Sequence, residues 1–272
     1  MTLKDAIELL RASGIDSPEY DARELFRKFG ELGAGPIMLN MESESTALTD
    51  AIMRRAKREP LQYITGSVGF YREEYEVTPD CLIPRSDTEM LVDYAVNHIP
   101  DGEAFADLCS GSGCIGISTL ANTKRTTCTS IDISDKAIQL TRRNAGLNGV
   151  AERINAVRMD LLSQEASLNG KFFAILSNPP YIAEDVYLGL EKEIFHEPKI
   201  AFVGKNGGME FYEKLIPFAL KHLKEDGFIA FEIGYDQAER ITELAKNNAC
   251  ACEIIKDYSG NDRVAVLRPE RA

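Results

Sequence analysis

Phe172-Phe173-Ala174-Ile175-Leu176-Ser177 runs directly into Asn178-Pro179-Pro180-Tyr181. The apolar run reads as a buried strand, and the two prolines end it, because each lacks a ladder donor and fixes φ. The stop leaves an amide side chain, a free carbonyl and an aromatic ring at the strand's carboxyl end. Open α/β sheets bind their ligands at that end. An amide and a carbonyl together hold a planar NH2 group, and a tyrosine ring stacks on one. The stretch points to chemistry on a planar nitrogen.

Working outward, residues from about 86 onward alternate strand and helix. Strands are expected at Phe105–Leu108, Cys128–Ile131, Ile154–Arg158, Phe172–Ser177, Phe228–Ile233, Cys252–Lys256 and Val264–Leu267. Helices are expected at Thr88–His98, Ile115–Ala121, Asp135–Leu147, Met209–His222 and Asp236–Asn247. This order predicts a mostly parallel sheet covered on both faces. Only Asp257–Arg263 separates the last two strands, too short for a parallel crossover, so an edge strand runs antiparallel. Upstream, Val68–Tyr71 and Tyr75–Thr78 alternate at period two around Arg72-Glu73-Glu74, which reads as a hairpin. Before it the pattern is helical. Leu3, Ala6, Ile7, Leu9 and Leu10 repeat at helical spacing, Ser17-Pro18 opens a helix toward Phe29, a short helix is expected near 34–40, and Ser45 or Thr49 caps another toward Arg58. The expected division is a helical bundle at 1–65, a hairpin linker at 66–85 and an α/β domain at 86–272.

Asp107-Leu108-Cys109-Ser110-Gly111-Ser112-Gly113 joins the first α/β strand to its helix. Glycines let backbone approach a ligand, and a helix start offers free N–H groups. The next strand ends at Asp132, placed to accept hydrogen bonds from ribose hydroxyls. Gly111-x-Gly113-x-x-Gly116 also fits a dinucleotide fingerprint, so the turn alone leaves a dehydrogenase and an S-adenosylmethionine (SAM) enzyme open. Asp107 before the turn, the Asn-Pro-Pro-Tyr strand end and the edge strand pair favour SAM.

The net charge of −12 over 272 residues argues against non-specific nucleic-acid binding. The dense basic run Arg54-Arg55-Ala56-Lys57-Arg58 reads as a solvated helix face, the alternative being a docking patch. Six cysteines are scattered without a CxxC pair, and three histidines lie far apart, so neither a disulfide framework nor a metal site is expected. There is no apolar leader and no long apolar stretch, so a cytoplasmic protein with no membrane association is expected.

Longer motifs carry a family resemblance. Glu59-Pro60-Leu61-Gln62-Tyr63-Ile64-Thr65-Gly66, Leu82-Ile83-Pro84-Arg85-Ser86-Asp87-Thr88-Glu89, Asn178–Ile182, Glu197-Pro198 with Gly204, Gly207 and Gly208, and Gly260–Val264 resemble blocks of the peptide chain release factor N5-glutamine methyltransferases, the PrmC/HemK family. The resemblance covers nearly the whole chain. It implies a seven-stranded, Rossmann-like SAM-dependent methyltransferase domain, with a helical N-terminal domain and a hairpin linker. It also implies methyl transfer to the glutamine of a release factor's Gly-Gly-Gln loop. Expected cofactor contacts are Asp107, Cys109, Ser110, Gly111, Ser112, Gly113, Asp132, Asp160, Leu161 and Asn178. Asn178, Pro179, Pro180 and Tyr181 are expected to hold the substrate. The Asn178 side-chain oxygen and the Pro179 carbonyl would accept the amide hydrogens, and Tyr181 would pack on the amide plane. Arg85 is expected to order its loop, Glu89 to cap or to face the SAM amino group, and Phe70 and Tyr71 to sit in the core or at the entrance. The family usually has Gly-Thr where this chain has Cys109-Ser110. Alternatives are a ribosomal-protein glutamine methyltransferase, an adenine-N6 nucleic-acid methyltransferase, and a SAM-binding module without turnover.

Overall fold

Thr2 opens the first helix with a reciprocal cap. Its hydroxyl accepts from the Asp5 N–H, and its own N–H donates to the Asp5 carboxylate, both at 3.1 Å. The computed structural model describes residues 1–31 and 38–270. Helix α1 is Leu3–Ala12, α2 is Pro18–Phe29, α3 is Thr46–Ala56 and α4 is Leu61–Thr65. Pro18 stands at the first position of α2, and Ser45 rather than Thr49 caps α3, accepting from the Leu48 N–H at 3.3 Å. Leu3, Leu10, Leu25, Phe26 and Ile52 bury the facing stripes. Most of the helix expected near 34–40 lies outside the described residues, and residues 38–40 are not helical. The α4 turn was not anticipated. Pro60 precedes its first residue, and Gly66 closes it at φ 79°.

The chain forms two compact units. One is Met1–Ser67 together with Glu191–His196, and the other is Val68–Leu190 with Glu197–Ala272. In the first unit the basic run departs from the solvated face read from the sequence. Arg55 is buried and donates to the Asp21 carboxylate at 2.6 Å and to Glu193 at 3.1 Å. Arg58 donates to the same Glu193 at 2.8 Å, and Arg54 pairs with Glu59. Burial, opposed by Arg55, raises the pKa of Asp21.

The second unit opens with the hairpin β1 (Ser67–Phe70) and β2 (Glu73–Glu76), turning at Tyr71 with φ 58°. The turn is tighter than the three residues expected. After α5 (Glu89–His98) come β3 (Ala104–Leu108), α6 (Cys114–Ala121), β4 (Thr127–Asp132), α7 (Asp135–Leu147), β5 (Ile154–Arg158) and β6 (Phe172–Ser177). Then follow α8 (Glu184–Tyr187), α9 (Lys205–Gly208), α10 (Glu210–His222), β7 (Leu223–Glu232), α11 (Ala238–Asn247), β8 (Cys250–Lys256) and β9 (Asp262–Pro269). The sheet has seven strands in the order β5-β4-β3-β6-β7-β9-β8. The first five pair in parallel, and β9 runs antiparallel to both β7 and β8. Its central strands bury both faces. Phe228 and Ala230 join the core containing Leu91 and Phe105, while Ile229 and Phe231 join the one containing Tyr212 and Leu215. Strand order reverses between β3 and β6, and a crevice opens there above the carboxyl ends.

Candidate active site

Four strand ends meet at one cavity of about 520 Å³. Its walls include Cys109, Ser110, Gly111 and Ser112 after β3, Asp132 at the end of β4, Asp160 and Leu161 after β5, and Asn178 and Pro180 after β6. Asp107, Gly113, Pro179 and Tyr181 do not line it. Cys81, Leu82, Pro84, Arg85 and Thr88 close one side, and Pro198, Ile200, Ala201 and Val203 another.

The turn after β3 needs left-handed backbone at Cys109 (φ 57°), Gly111 (φ 54°) and Gly113 (φ 82°). Cys109 therefore takes a conformation that costs an L residue about 1–2 kcal/mol. Burial pushes its thiol pKa well up. A Cβ at Gly111 would meet nothing, so its backbone faces open space, whereas one at Gly113 would stand 2.8 Å from Thr141. At Gly116 a Cβ would come within 3.1 Å of the Asp107 carboxylate, so the third glycine of the fingerprint lets α6 lie close on the sheet.

Both acids at this end are partly satisfied by backbone. Asp132 accepts from the N–H groups of Gly111 and Ser134 at 2.9 Å each, and it retains lone pairs toward the cavity. Burial raises its pKa against those bonds. Asp107 turns beneath the helix start, where Oδ2 accepts from the Gly116 N–H at 3.0 Å and Oδ1 has no partner. Burial pushes it up to about 7, the Asp132 charge adding to the shift. It props the turn from below rather than forming the wall.

At the other side, Asn178 Nδ2 donates to Thr88 Oγ1 at 3.2 Å. With the nitrogen committed, the amide presents its oxygen as an acceptor. The prolines are braced from behind by glycines. A Cβ at Gly204 would stand 2.6 Å from the Pro180 carbonyl oxygen, and one at Gly208 2.0 Å from that of Tyr181. Ile182 donates its N–H to Phe202 O at 2.8 Å, and Gly204 returns one to Ile182 O at 3.0 Å. Tyr181 points away from the cavity. Its hydroxyl donates to Glu232 Oε1 at 3.1 Å, and its carbonyl accepts from Gln237 Nε2 at 3.0 Å. Burial first, then the Glu232 charge, raises its pKa far above the usual phenol range.

Arg85 pairs with the buried Glu197, which also accepts from the Ile83 N–H at 2.9 Å. One carboxylate thus ties the 82–85 strap to the segment bearing Ile200. Glu89 accepts from the Tyr71 N–H at 2.8 Å and holds the hairpin turn rather than the cavity. Phe70 lies in the core with Tyr71 packed against it, and neither lines the entrance. Thr88 and Glu232 were overlooked in the sequence. Thr88 sits inside the Leu82–Glu89 block, but nothing local marks Glu232, an acid at the end of an apolar strand. No cluster of metal-binding side chains occurs among the described residues, and no helix there is long and apolar enough to cross a membrane.

Residues 86–211 match the family described as methyltransferase small domain, and residues 2–66 match the PrmC N-terminal domain. The chain is 34% identical to the release factor glutamine methyltransferase of Fusobacterium nucleatum, covering 97% of this chain and 77% of that protein. It is 33% identical to the protein of that name from Clostridium botulinum, covering 98% and 99%. Among solved structures, a ribosomal protein L11 methylase from Lactobacillus delbrueckii superposes with a TM-score of 0.53 at 22% identity, covering 72% of this chain and 84% of that one. That structural likeness shows the fold alone, whereas the identities over nearly the full length settle descent: the chain belongs to the release factor glutamine methyltransferase family.

Proposed function

We propose that this protein transfers methyl from SAM to the side-chain nitrogen of the glutamine in the Gly-Gly-Gln loop of peptide chain release factors, and so acts in translation termination in the cytoplasm. The observation that carries the reading is Asn178, whose nitrogen is held by Thr88 while its oxygen remains an acceptor beside the cavity.

The residues present fit SAM. Gly111 faces open space with no Cβ to fill it, and Asp132 keeps acceptor capacity for two ribose hydroxyls. Leu161 is a buried apolar wall suited to an adenine face, and Asp160 beside it lines the same cavity. Cys109, Ser110 and Ser112 complete the cradle. Asp107 and Gly113 shape the turn from outside it. When bound, SAM supplies an electrophilic methyl on a sulfonium.

A carboxamide nitrogen is a poor nucleophile, because its lone pair is delocalised into the carbonyl. The chain's task is therefore to position and polarise. Asn178 Oδ1 at the cavity wall, and the carbonyl of Pro179, which follows it in the turn without itself lining the wall, would accept the two amide hydrogens and hold the nitrogen toward the methyl. Such positioning supplies roughly 7–11 kcal/mol of a barrier. The same two acceptors stabilise positive charge growing on nitrogen. Pro180 forms the wall beside the amide. Tyr181, bonded at both its hydroxyl and its carbonyl, anchors the turn rather than stacking on the substrate from the cavity wall. No strong base is required, since the methylated amide releases its proton to water.

The test is incubation with labelled SAM and, separately, purified release factor, its Gln→Ala loop variant, and DNA. Label on the release factor that disappears with the glutamine is the expected result. Label on DNA alone, or label that survives the Gln→Ala change, overturns the reading.

A further inference from the structure

The glycine-rich turn after β3 holds left-handed backbone at Cys109, Gly111 and Gly113, three of five consecutive residues. Such backbone at a non-glycine residue persists only where its surroundings over-determine it. Helix α7 supplies part of that constraint from behind. Thr141 Oγ1 donates to Gly111 O at 3.1 Å, and Asn144 Nδ2 donates to Ser112 O at 3.0 Å. The two residues stand three apart on α7, hence on one face, and both are fully buried. Asn144 reaches the hairpin as well. Its Nδ2 also donates to Glu76 O at 3.1 Å, and its Oδ1 accepts from the Glu76 N–H at 2.8 Å. One amide thus joins α7, β2 and the glycine-rich turn, and both of its hydrogens are used.

We propose that Asn144 and Thr141 are positioning residues that set the glycine-rich turn in its SAM-holding shape, with Asn144 locking the turn to β2. The carbonyls decide the shape. Every described peptide bond is trans, and across a trans peptide the C=O and N–H point in opposite directions. Gly111 O drawn onto Thr141 therefore turns the Ser112 N–H away from α7, at a residue that lines the cavity. Ser112 O drawn onto Asn144 does the same for the Gly113 N–H, which closes the turn on Ser110 O at 2.8 Å. Thr141 also packs on the far end of the turn, since a Cβ at Gly113 would stand 2.8 Å from its methyl. The Asn144 amide has one workable orientation. Turned over, its oxygen would face two carbonyls and its nitrogen the Glu76 N–H, so all its bonds would be lost at once. With either tie cut, the peptide planes between Gly111 and Gly113 are freer to rotate, and glycine at both ends resists least. The cradle then exists for only part of the time, and SAM binds more weakly by that fraction.

This inference takes SAM as the cofactor and nothing about the methyl acceptor. Asn144→Asp keeps the shape and sets an oxygen against the two carbonyls. Thr141→Val keeps the shape and removes the hydroxyl, whereas Thr141→Ser keeps the hydroxyl. Asn148→Ala is the control. Asn148 donates to Glu74 O at 2.9 Å and so ties the same end of α7 to β2, but it bonds no residue of the turn. Thermal melting establishes that each variant is folded, calorimetry measures SAM binding, and nuclear magnetic resonance follows the Gly111, Ser112 and Gly113 amides without SAM. Asn144→Asp is expected to raise the SAM dissociation constant about 10- to 100-fold, and Thr141→Val about 5- to 10-fold, the scale on which lost buried partners read out. Thr141→Ser and Asn148→Ala should stay within about threefold of wild type. The turn's amide signals should move in Asn144→Asp and Thr141→Val before any ligand is added. With release factor and saturating SAM, kcat should change less than about threefold, the loss lying in the KM for SAM. If Asn144→Asp does not fold, the Thr141 pair decides. SAM affinity and amide signals near wild type in folded Thr141→Val overturn the proposal. An equal loss of affinity in Asn148→Ala overturns it too, since the effect would then belong to the packing of α7 at large. A wild-type protein that binds SAM yet leaves release factor unlabelled defeats the proposed function instead and leaves this inference standing.

Discussion

Gly208→Ala is the sharpest perturbation of the site that leaves every cavity residue in place. Gly208 sits at φ 83°, and a Cβ there would stand 2.0 Å from the Tyr181 carbonyl oxygen and 2.8 Å from Gln237 Nε2. Two costs add. Left-handed backbone at an L residue costs about 1–2 kcal/mol. Forcing a methyl into packed surroundings costs about 1–3 kcal/mol more. Gly207 provides an internal control. Its φ is 63°, but its Cβ would meet only the flexible Arg240 guanidinium at 3.2 Å, so Gly207→Ala should incur the backbone cost alone. Thermal unfolding of the two variants therefore isolates the clash. At about 2–4 °C per kcal/mol for a chain this size, Gly208→Ala is expected to melt on the order of 10 °C lower than wild type, and Gly207→Ala a few degrees lower. The carbonyl that must move belongs to the turn bearing Asn178, so methylation of release factor should fall with Gly208→Ala and hold with Gly207→Ala. Equal melting points for the two variants, or full activity in Gly208→Ala, would refute the bracing role.

Asn178→Ala should lower kcat by about 10²–10³, the usual loss for one charge-stabilising partner, while calorimetry finds SAM affinity within about threefold; matching losses would contradict the assigned role. Stability should fall as pH rises through neutrality. Asp107 moves from 3.8 unfolded to about 7 folded, so between those values the folded chain holds a proton that the unfolded chain has released. That contribution is complete below 3.8 and lost as pH passes 7. At about 1.4 kcal/mol per pH unit, the protein should be roughly 2 kcal/mol more stable at pH 5.5 than at pH 8. Urea midpoints measure this, and Asp107→Asn should remove most of the difference. Arg55→Ala should cost about 3–5 kcal/mol in denaturant unfolding, because it strands the buried Asp21 carboxylate; replacing both by apolar residues should restore most of it.

The sheet was legible because parallel strands buried on both faces are written as short unbroken apolar runs, such as Phe172–Ser177. Helix α7 was legible to the residue, since Ser134 caps it and its apolar stripe is regular. The stretch between Ile182 and Met209 was not. Its turns have little local preference and are held by distant partners, Gly204 against Pro180 and Glu197 against Ile83. Strand β7 starts at Leu223, five residues before the first apolar pair that marked it, because Lys224–Asp226 hide the strand behind charge. Within the site, residue types at strand ends located Asp132, Asn178 and the glycine turn. Side-chain direction was not readable, so nothing in the order of residues told that Asp107 and Tyr181 turn away from the cavity. The basic run misled for the same reason: charge at helical spacing says nothing of carboxylates supplied by Asp21 and by Glu193, far along the chain.

The short excursion Glu191–His196 belongs to the helical unit although its neighbours in sequence, Leu190 and Glu197, belong to the other. Anyone trimming this protein to a minimal enzyme by cutting after Ser67 would remove both arginines that hold Glu193 and leave the excursion without a home. The stub would re-enter the retained fragment at Glu197, whose carboxylate ties down the Ile83–Arg85 strap. Such a cut would free the chain leading into the residue that pins one side of the cavity.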